Sequence, residues 1–273
     1  MMRTGFHTAF LHEYPVLDAV RLVADHGYDY VELNAETMPW CTPHITPQTD
    51  ARVRREIAEI LPVSSISAHH ADYGNADPDL RAKAVQFTQD MMDFAVDVGT
   101  DIVHVIPGEH STSIPLLVDS LRRGVDAAAQ RGVTLALEPI VNQVIGTADQ
   151  TAAVLAQVPG LAVSFDASHL QVMDGEVARG AQLLGKHVAH VALKDASGDP
   201  LAWRFDPLGD GVIDFVAMLQ TLQRAGFDGV VSVEHESHVF ADDMRGPEQV
   251  LAESKTFLDD VLRQVAQVPA ETH

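Results

Sequence analysis

The chain has 273 residues, 46% of them hydrophobic, with 39 acidic against 18 basic side chains and a formal charge of −21. A field that negative repels phosphate and excludes nucleic acid as the expected partner, and no apolar run reaches the length of a bilayer span. The single cysteine, Cys41, excludes an internal disulfide and a cysteine-rich metal site; with an N-terminus, Met1 to His7, that lacks the apolar stretch of a secretory signal, it makes a cytoplasmic protein the expectation.

In chain order, the dominant signal is a helical stretch that closes near a glycine and gives way to a short apolar strand. Residues 4–8 read as a first strand followed by a helix around 15–26, and Asp25-His26-Gly27 leads into Tyr30-Val31-Glu32-Leu33. A helix around 47–60 precedes a strand at 63–69, and one at 78–97 stops at Val98-Gly99 before Ile102-Val103-His104-Val105-Ile106. The helix at 115–130 stops at Arg131-Gly132 before a strand at 133–138. Pro159-Gly160, Leu184-Gly185 and Ala225-Gly226 introduce strands that end near Asp166, Leu193 and Glu234, with further helices around 148–157, 176–184, 213–224 and 247–265. Eight β/α units of this length predict a single (β/α)8 TIM barrel over residues 1–266, with 267–273 as a frayed tail; a doubly wound open sheet is the structural alternative.

Reactive groups of such a barrel stand at the C-terminal ends of its strands. The polar residues there are Glu32 and Asn34, the pair His69-His70, His104, Glu138, Asp166, His190 and Glu234. Glu138, Asp166 and Glu234 each close an apolar run, where an ionised carboxylate is costly to bury alone. A shared divalent cation answers that cost for all three at once; separate pairing with Lys, Arg or backbone amides is the alternative. One of His69 and His70 faces the barrel axis, and His70 is taken as the catalytic candidate. His104 is read either as a buried, hydrogen-bonded histidine or as a substrate contact. Trp40 walls a ligand site by stacking or anchors its own loop, and Trp203-Arg204-Phe205 carries the same pair of readings. His7, His235 and Glu236 are expected to play supporting roles.

The segments Glu138-Pro139, Asp166-Ala167-Ser168-His169, His190-Val191-Ala192-Leu193-Lys194-Asp195, Pro207-Leu208-Gly209-Asp210-Gly211 and Val233-Glu234-His235-Glu236 occur in one order along the chain. In this the sequence resembles the sugar phosphate isomerase/epimerase superfamily, the xylose isomerase-like TIM barrels, which also include the second family of AP endonucleases. The resemblance implies one divalent metal ion, Mn²⁺ before Mg²⁺, Co²⁺ or Zn²⁺, on Glu138, Asp166 and Glu234. It also implies substrate contacts from His169 and Arg204.

Three departures accompany it. The family's histidine ligand on the seventh strand is Ala192 here, and His190, on the same strand face but roughly 6–7 Å deeper, is the candidate replacement. No second carboxylate follows Glu138 until Asp149, which removes the family's usual two-carboxylate epimerisation from that loop. Ile106, Ala192, Trp203 and Phe205 stand where the DNA-repair members need zinc ligands.

The leading functional expectation is a metal-dependent sugar isomerase or epimerase that removes a proton beside a carbonyl through a metal-stabilised enediolate, with Glu234 and Glu138 in the catalysis. A lyase that expels a β-substituent from a 3-keto sugar, such as a C-glycoside deglycosidase catalytic subunit or a keto-inositol dehydratase, is the second reading. A non-catalytic sugar-binding barrel is the third. The expected partner is a small sugar or keto-sugar, with no nucleic acid and no membrane. A homo-oligomer is the default, and a small partner subunit goes with the lyase reading.

Overall fold

A computed structural model describes residues 1–36 and 42–267. Eight parallel strands close a barrel: β1 (Arg3–His7), β2 (Tyr30–Asn34), β3 (Val63–Ser67), β4 (Ile102–Val105), β5 (Thr134–Leu137), β6 (Ala162–Asp166), β7 (Val188–Leu193) and β10 (Val230–Val233). They neighbour one another in chain order, and β10 returns to pair with β1. The expected fold is thus the one found, with no open edge.

The connecting helices are α1 (Val16–Asp25), α2 (Ala51–Ile60), α3 (Pro78–Val98), α4 (Ile114–Arg131), α5 (Ala148–Leu155), α6 (Ala167–Asp174), α7 (Val177–Leu184), α8 (Phe215–Arg224), α9 (Ser237–Phe240) and α10 (Pro247–Gln267). The glycine signal has a backbone cause. Gly99 (φ 78°) and Gly132 (φ 69°) end α3 and α4 in the left-handed conformation that a Cβ disfavours. Gln267, expected to begin a frayed tail, closes α10, and residues 268–273 lie outside the described set. No helix among the described residues is long and apolar enough to cross a membrane.

Alternation along each strand sets what the barrel holds. Val31 and Leu33, Val103 and Val105, Leu135 and Leu137, Val163 and Phe165, Val191 and Leu193, and Val231 and Val233 join the apolar core. The alternate positions are buried and mostly polar, Glu32, Ser65, Ser67, His104, Ser164, His190 and Ser232, with Ala136 and Ala192 the apolar members. Barrel interiors are more often filled by branched aliphatic side chains; this one is lined with hydrogen-bonding groups.

An antiparallel hairpin, β8 (Asp195–Asp199) and β9 (Ala202–Asp206), stands on the C-terminal end of β7 and was not foreseen in the strand pattern. The Asp195 carboxylate holds its base by accepting from the backbone N–H groups of Ala196 (3.0 Å), Gly209 (3.0 Å), Gly211 (3.1 Å) and Ile213 (3.3 Å). Gly211 is glycine for space, since a Cβ there would collide with that carboxylate. The hairpin thereby becomes a fixed wall over the barrel mouth.

Candidate active site

The mouth encloses a cavity of about 320 Å³, at the small end of ligand pockets. Glu36, His69, Glu138, His169, Lys194, Glu234 and Glu236 form its polar floor. Ile106, Ile140, Val141, Trp203, Phe205 and Phe240 form an apolar wall. In that wall Trp203 packs on Phe205 (centroids 4.7 Å) and Phe240 (5.0 Å), while Phe205 meets the edge of His169 (5.2 Å).

Local structure aims these groups. Asp166 ends β6 and caps α6, its Oδ1 accepting from Ser168 N at 2.8 Å, so the first helical turn brings His169 back to the mouth. Val141 N–H points at His169 Nδ1 (3.3 Å), so the neutral ring carries its proton on Nε2. That atom faces Asp166 Oδ2 (3.4 Å) and Glu138 Oε1 (3.7 Å). Burial pulls the His169 pKa down to about 4, outweighing the nearby carboxylates, and keeps the ring a neutral donor.

A continuous polar chain runs beneath the cavity. Glu36 pairs with His69 Nδ1 (2.8 Å), His69 Nε2 lies 3.2 Å from His104 Nδ1, and His104 Nε2 lies 2.7 Å from Glu32. His190 stacks on His104 (5.1 Å, 17°) and reaches Glu32 at 3.1 Å and Ser65 at 3.4 Å. Burial opposes charge on His69, but Glu36 and Glu138 outweigh it and raise its pKa well above the usual value. Burial likewise opposes charge on Glu138, yet His104 (3.1 Å) and His69 (3.6 Å) hold it ionised, well below the carboxylate range.

Lys194 is the cation of the floor, 3% exposed, with Nζ at 2.8 Å from Glu236, 3.0 Å from Glu234 and 3.1 Å from Asp166. Burial works against its charge, but these three carboxylates reverse the balance and raise its pKa. One ammonium does not neutralise three acids. Burial, with Glu236, Glu138 and Asp166 nearby, therefore leaves Glu234 well above the carboxylate range, only partly offset by Lys194. Among the described residues, four groups of histidine and carboxylate side chains have donor atoms within 4.8 Å of one another, a spacing that could hold a metal ion: Glu138, Asp166 and His169; His69, His104 and Glu138; His7, Glu36 and Glu234; and Glu32, His104 and His190.

The family model described as xylose isomerase-like TIM barrel matches residues 20–261. The chain belongs to that family. This xylose isomerase-like barrel is 25% identical over 248 residues to the L-ribulose-5-phosphate 3-epimerase UlaE of Salmonella paratyphi A, an alignment covering 80% of this chain and 81% of the relative. Among solved structures it resembles the zinc-containing IolI protein (TM-score 0.81, 20% identity, 98% of this chain and all of that one) and an L-ribulose 3-epimerase (TM-score 0.76, 19% identity, both chains covered in full). At those identities the structural likeness establishes the fold.

Within the barrel, the structure brings Glu138, Asp166, His169 and Glu234 to the mouth and places the other expected residues elsewhere. His70 does not face the cavity; it turns outward toward Phe87 (5.8 Å) and Asp72, because His69 shares the inward strand face of Ser65 and Ser67. His104 and His190 lie one layer down rather than lining the cavity, His104 supporting Glu138 and His190 reaching Glu32. His190 is therefore not beside Asp166; in the strand register Asp166 opposes Ala192 and Ser164 opposes His190. Arg204 points away from the cavity, with Asp206 at 2.5 Å, because hairpin alternation gives that face to Trp203 and Phe205. Trp40 lies outside the described residues. Glu36 and Lys194 were not expected in the site, His69 was the alternative to His70, and Glu236, expected only to support, lines the cavity. Glu36 could have been found as the third member of the same-face series Glu32, Asn34, Glu36, and Lys194 as the residue two beyond Ala192.

Proposed function

We propose that this barrel is an isomerase or epimerase of a small uncharged keto-sugar, working by proton transfer at the carbon beside the carbonyl. The observation that carries this reading is the buried floor itself: an elevated Glu234, an ionised Glu138 and a neutral His169 N–H converge under an apolar wall of monosaccharide size. Related epimerases in the family support the same reaction class.

The donor set suits a divalent ion. Glu138 and Asp166 lie within one cluster, and Asp166 Oδ2 is fully buried with no hydrogen bond, its charge met by the Lys194 ammonium at 3.1 Å. With Glu234 they would hold an oxygen-preferring ion, Mn²⁺ or Mg²⁺ before Zn²⁺, since Ala192 offers no nitrogen. Such an ion would polarise the carbonyl and lower the cost of removing the neighbouring proton.

The chain's own groups do the rest. Glu234, buried and short of positive partners, takes the proton and keeps it away from water. Nε2–H of His169 donates to a substrate oxygen, its ring fixed by Val141 N–H. Trp203 and Phe205 cover one face of the sugar and exclude solvent. Return of the proton from the opposite side does not depend on the loop after β5, where Gln143 lines the cavity; Glu36 and Glu236 are further carboxylates in the floor. A phosphorylated substrate is disfavoured, because Lys194 is the only Lys or Arg among the described lining residues and three carboxylates already surround it.

The apolar wall favours one second reading, elimination of a β-substituent from a keto-sugar whose leaving group would lie against Trp203 and Phe240. A panel of ketopentoses, ketohexoses and 3-keto-glucosides, each also as its phosphate ester, incubated with protein and Mn²⁺ and followed by NMR, separates the readings. A new epimer or aldose from a neutral ketose supports the proposal. Release of aglycone supports the lyase, and turnover confined to phosphate esters contradicts the uncharged-substrate assignment.

A further inference from the structure

The ammonium of Lys194 and a divalent ion would draw on the same oxygens. Asp166 Oδ2 (3.1 Å) and Glu234 Oε2 (3.0 Å) are both partners of Lys194 Nζ and both belong to the carboxylate set assigned above to the ion. We propose that Lys194 is a built-in counter-cation that occupies the metal-binding carboxylates until a divalent ion displaces it, so that this site exchanges its metal instead of retaining it. The inference rests on the reading that these carboxylates take such an ion.

Three observations carry it. An ammonium has three N–H donors, and here three carboxylate oxygens lie within 3.1 Å of it in a site where Lys194 is 3% exposed. It is therefore hydrogen-bonded to Glu234 and Glu236 and ion-paired with Asp166 in the absence of any other cation. Next, Ala192 sits in register with Asp166 on the strand face that also carries Lys194, so the position from which an imidazole would compete for the ion presents only a methyl group. Finally, the shortest of the three contacts, 2.8 Å, is to Glu236, which lies outside the proposed ligand set and gives the ammonium a partner to keep when it withdraws.

Electrostatics makes the two occupants exclusive. An ion about 2.1 Å from both shared oxygens would crowd an ammonium that stands 3.0–3.1 Å from the same atoms. Charges of +2 and +1 separated by about 4 Å in a buried site repel strongly. Lysine withdrawal is thus part of metal binding and weakens it. The arrangement also keeps Asp166 and Glu234 from repelling each other apart while no ion is present.

The test measures Mn²⁺ binding directly, by calorimetry and by the free-ion electron paramagnetic resonance signal, on wild type, Lys194→Met, Lys194→Gln and Ala192→His, each checked for native circular dichroism. Wild type should lose its Mn²⁺ on dialysis, and both Lys194 variants should bind it roughly tenfold or more tightly. Ala192→His should also tighten binding, by adding a nitrogen ligand. If wild type binds Mn²⁺ and the Lys194 variants bind it no more tightly, Lys194 is not the competitor and the proposal falls while the metal reading stands. If none of the four proteins binds Mn²⁺, the metal reading fails and takes this proposal with it. Stoichiometric, non-dialysable metal in the wild-type protein as purified overturns the exchange claim.

Discussion

Asp195→Ala tests how the active-site wall is held. The carboxylate accepts four backbone N–H groups at 3.0–3.3 Å, and the residue is 2% exposed, so its removal leaves donors in the hairpin base and the loop through Gly211 without partners. A hydrogen bond to a charged acceptor contributes about 1.5–3 kcal/mol, and bonds sharing one acceptor do not add fully. The expected loss is about 3–5 kcal/mol of unfolding free energy, a large part of the roughly 5–15 kcal/mol of an ordinary domain. Urea denaturation followed by circular dichroism measures it. Asp195→Asn, which keeps the shape but turns an NH2 toward two of the donors, should lose more than half as much. A loss below about 1 kcal/mol in Asp195→Ala would refute the reasoning and mean that water or neighbouring oxygens replace the carboxylate.

The remaining predictions concern the cavity and its surroundings. His69→Ala should lower kcat/KM for whichever ketose the panel identifies by about 100-fold, whereas His70→Ala, on the outer side of the strand end, should change it by less than about threefold; steady-state kinetics reverses the assignment if the order is opposite. Trp203→Ala should raise KM about tenfold with a smaller change in kcat, and Arg204→Ala should leave KM near wild type. His44, whose Nε2–H donates to Leu11 O (3.1 Å) and Tyr14 O (3.2 Å), has its pKa lowered by burial to about 4. The fold favours its neutral form, so its contribution is complete above about pH 6.5 and is lost as pH falls toward 4, costing roughly 2–3 kcal/mol and some 4–8 °C in Tm. Calorimetry should show a flatter acid limb in His44→Gln, and an unchanged limb contradicts the assignment.

The barrel was legible because a glycine near a helix end is repeatedly followed by a short apolar strand, and most of those glycines have a positive φ, Gly99 and Gly132 being the clearest and Gly185, at φ −51°, the exception. The carboxylates at strand ends were legible for a related reason: a charge that closes an apolar run needs a partner. Side-chain direction was harder. His69-His70 could be resolved only through the register of β3, where Ile66 and Ala68 belong to the core and thereby turn His69 inward. Arg204 was assigned to the substrate by the resemblance alone, and alternation within the hairpin, which the strand pattern did not show, is what sends it outward. Glu236 lies beyond the last residue of its strand, and only the folded loop brings it to the floor. The polarity of the barrel interior was written in alternating Ser, His and Glu positions that a reading for apolar strands passes over.

Deuterium incorporation is the most direct measurement of the central claim. Wild-type protein with Mn²⁺ and the identified ketose in D2O should exchange the proton on the carbon beside the carbonyl, seen as loss of its NMR signal in substrate and product. Glu234→Gln, verified as folded by circular dichroism, should slow that exchange by about 100-fold or more. Exchange at the wild-type rate in Glu234→Gln would contradict Glu234 as the base, and product formation without solvent deuterium would contradict exchangeable proton transfer at that carbon as the route.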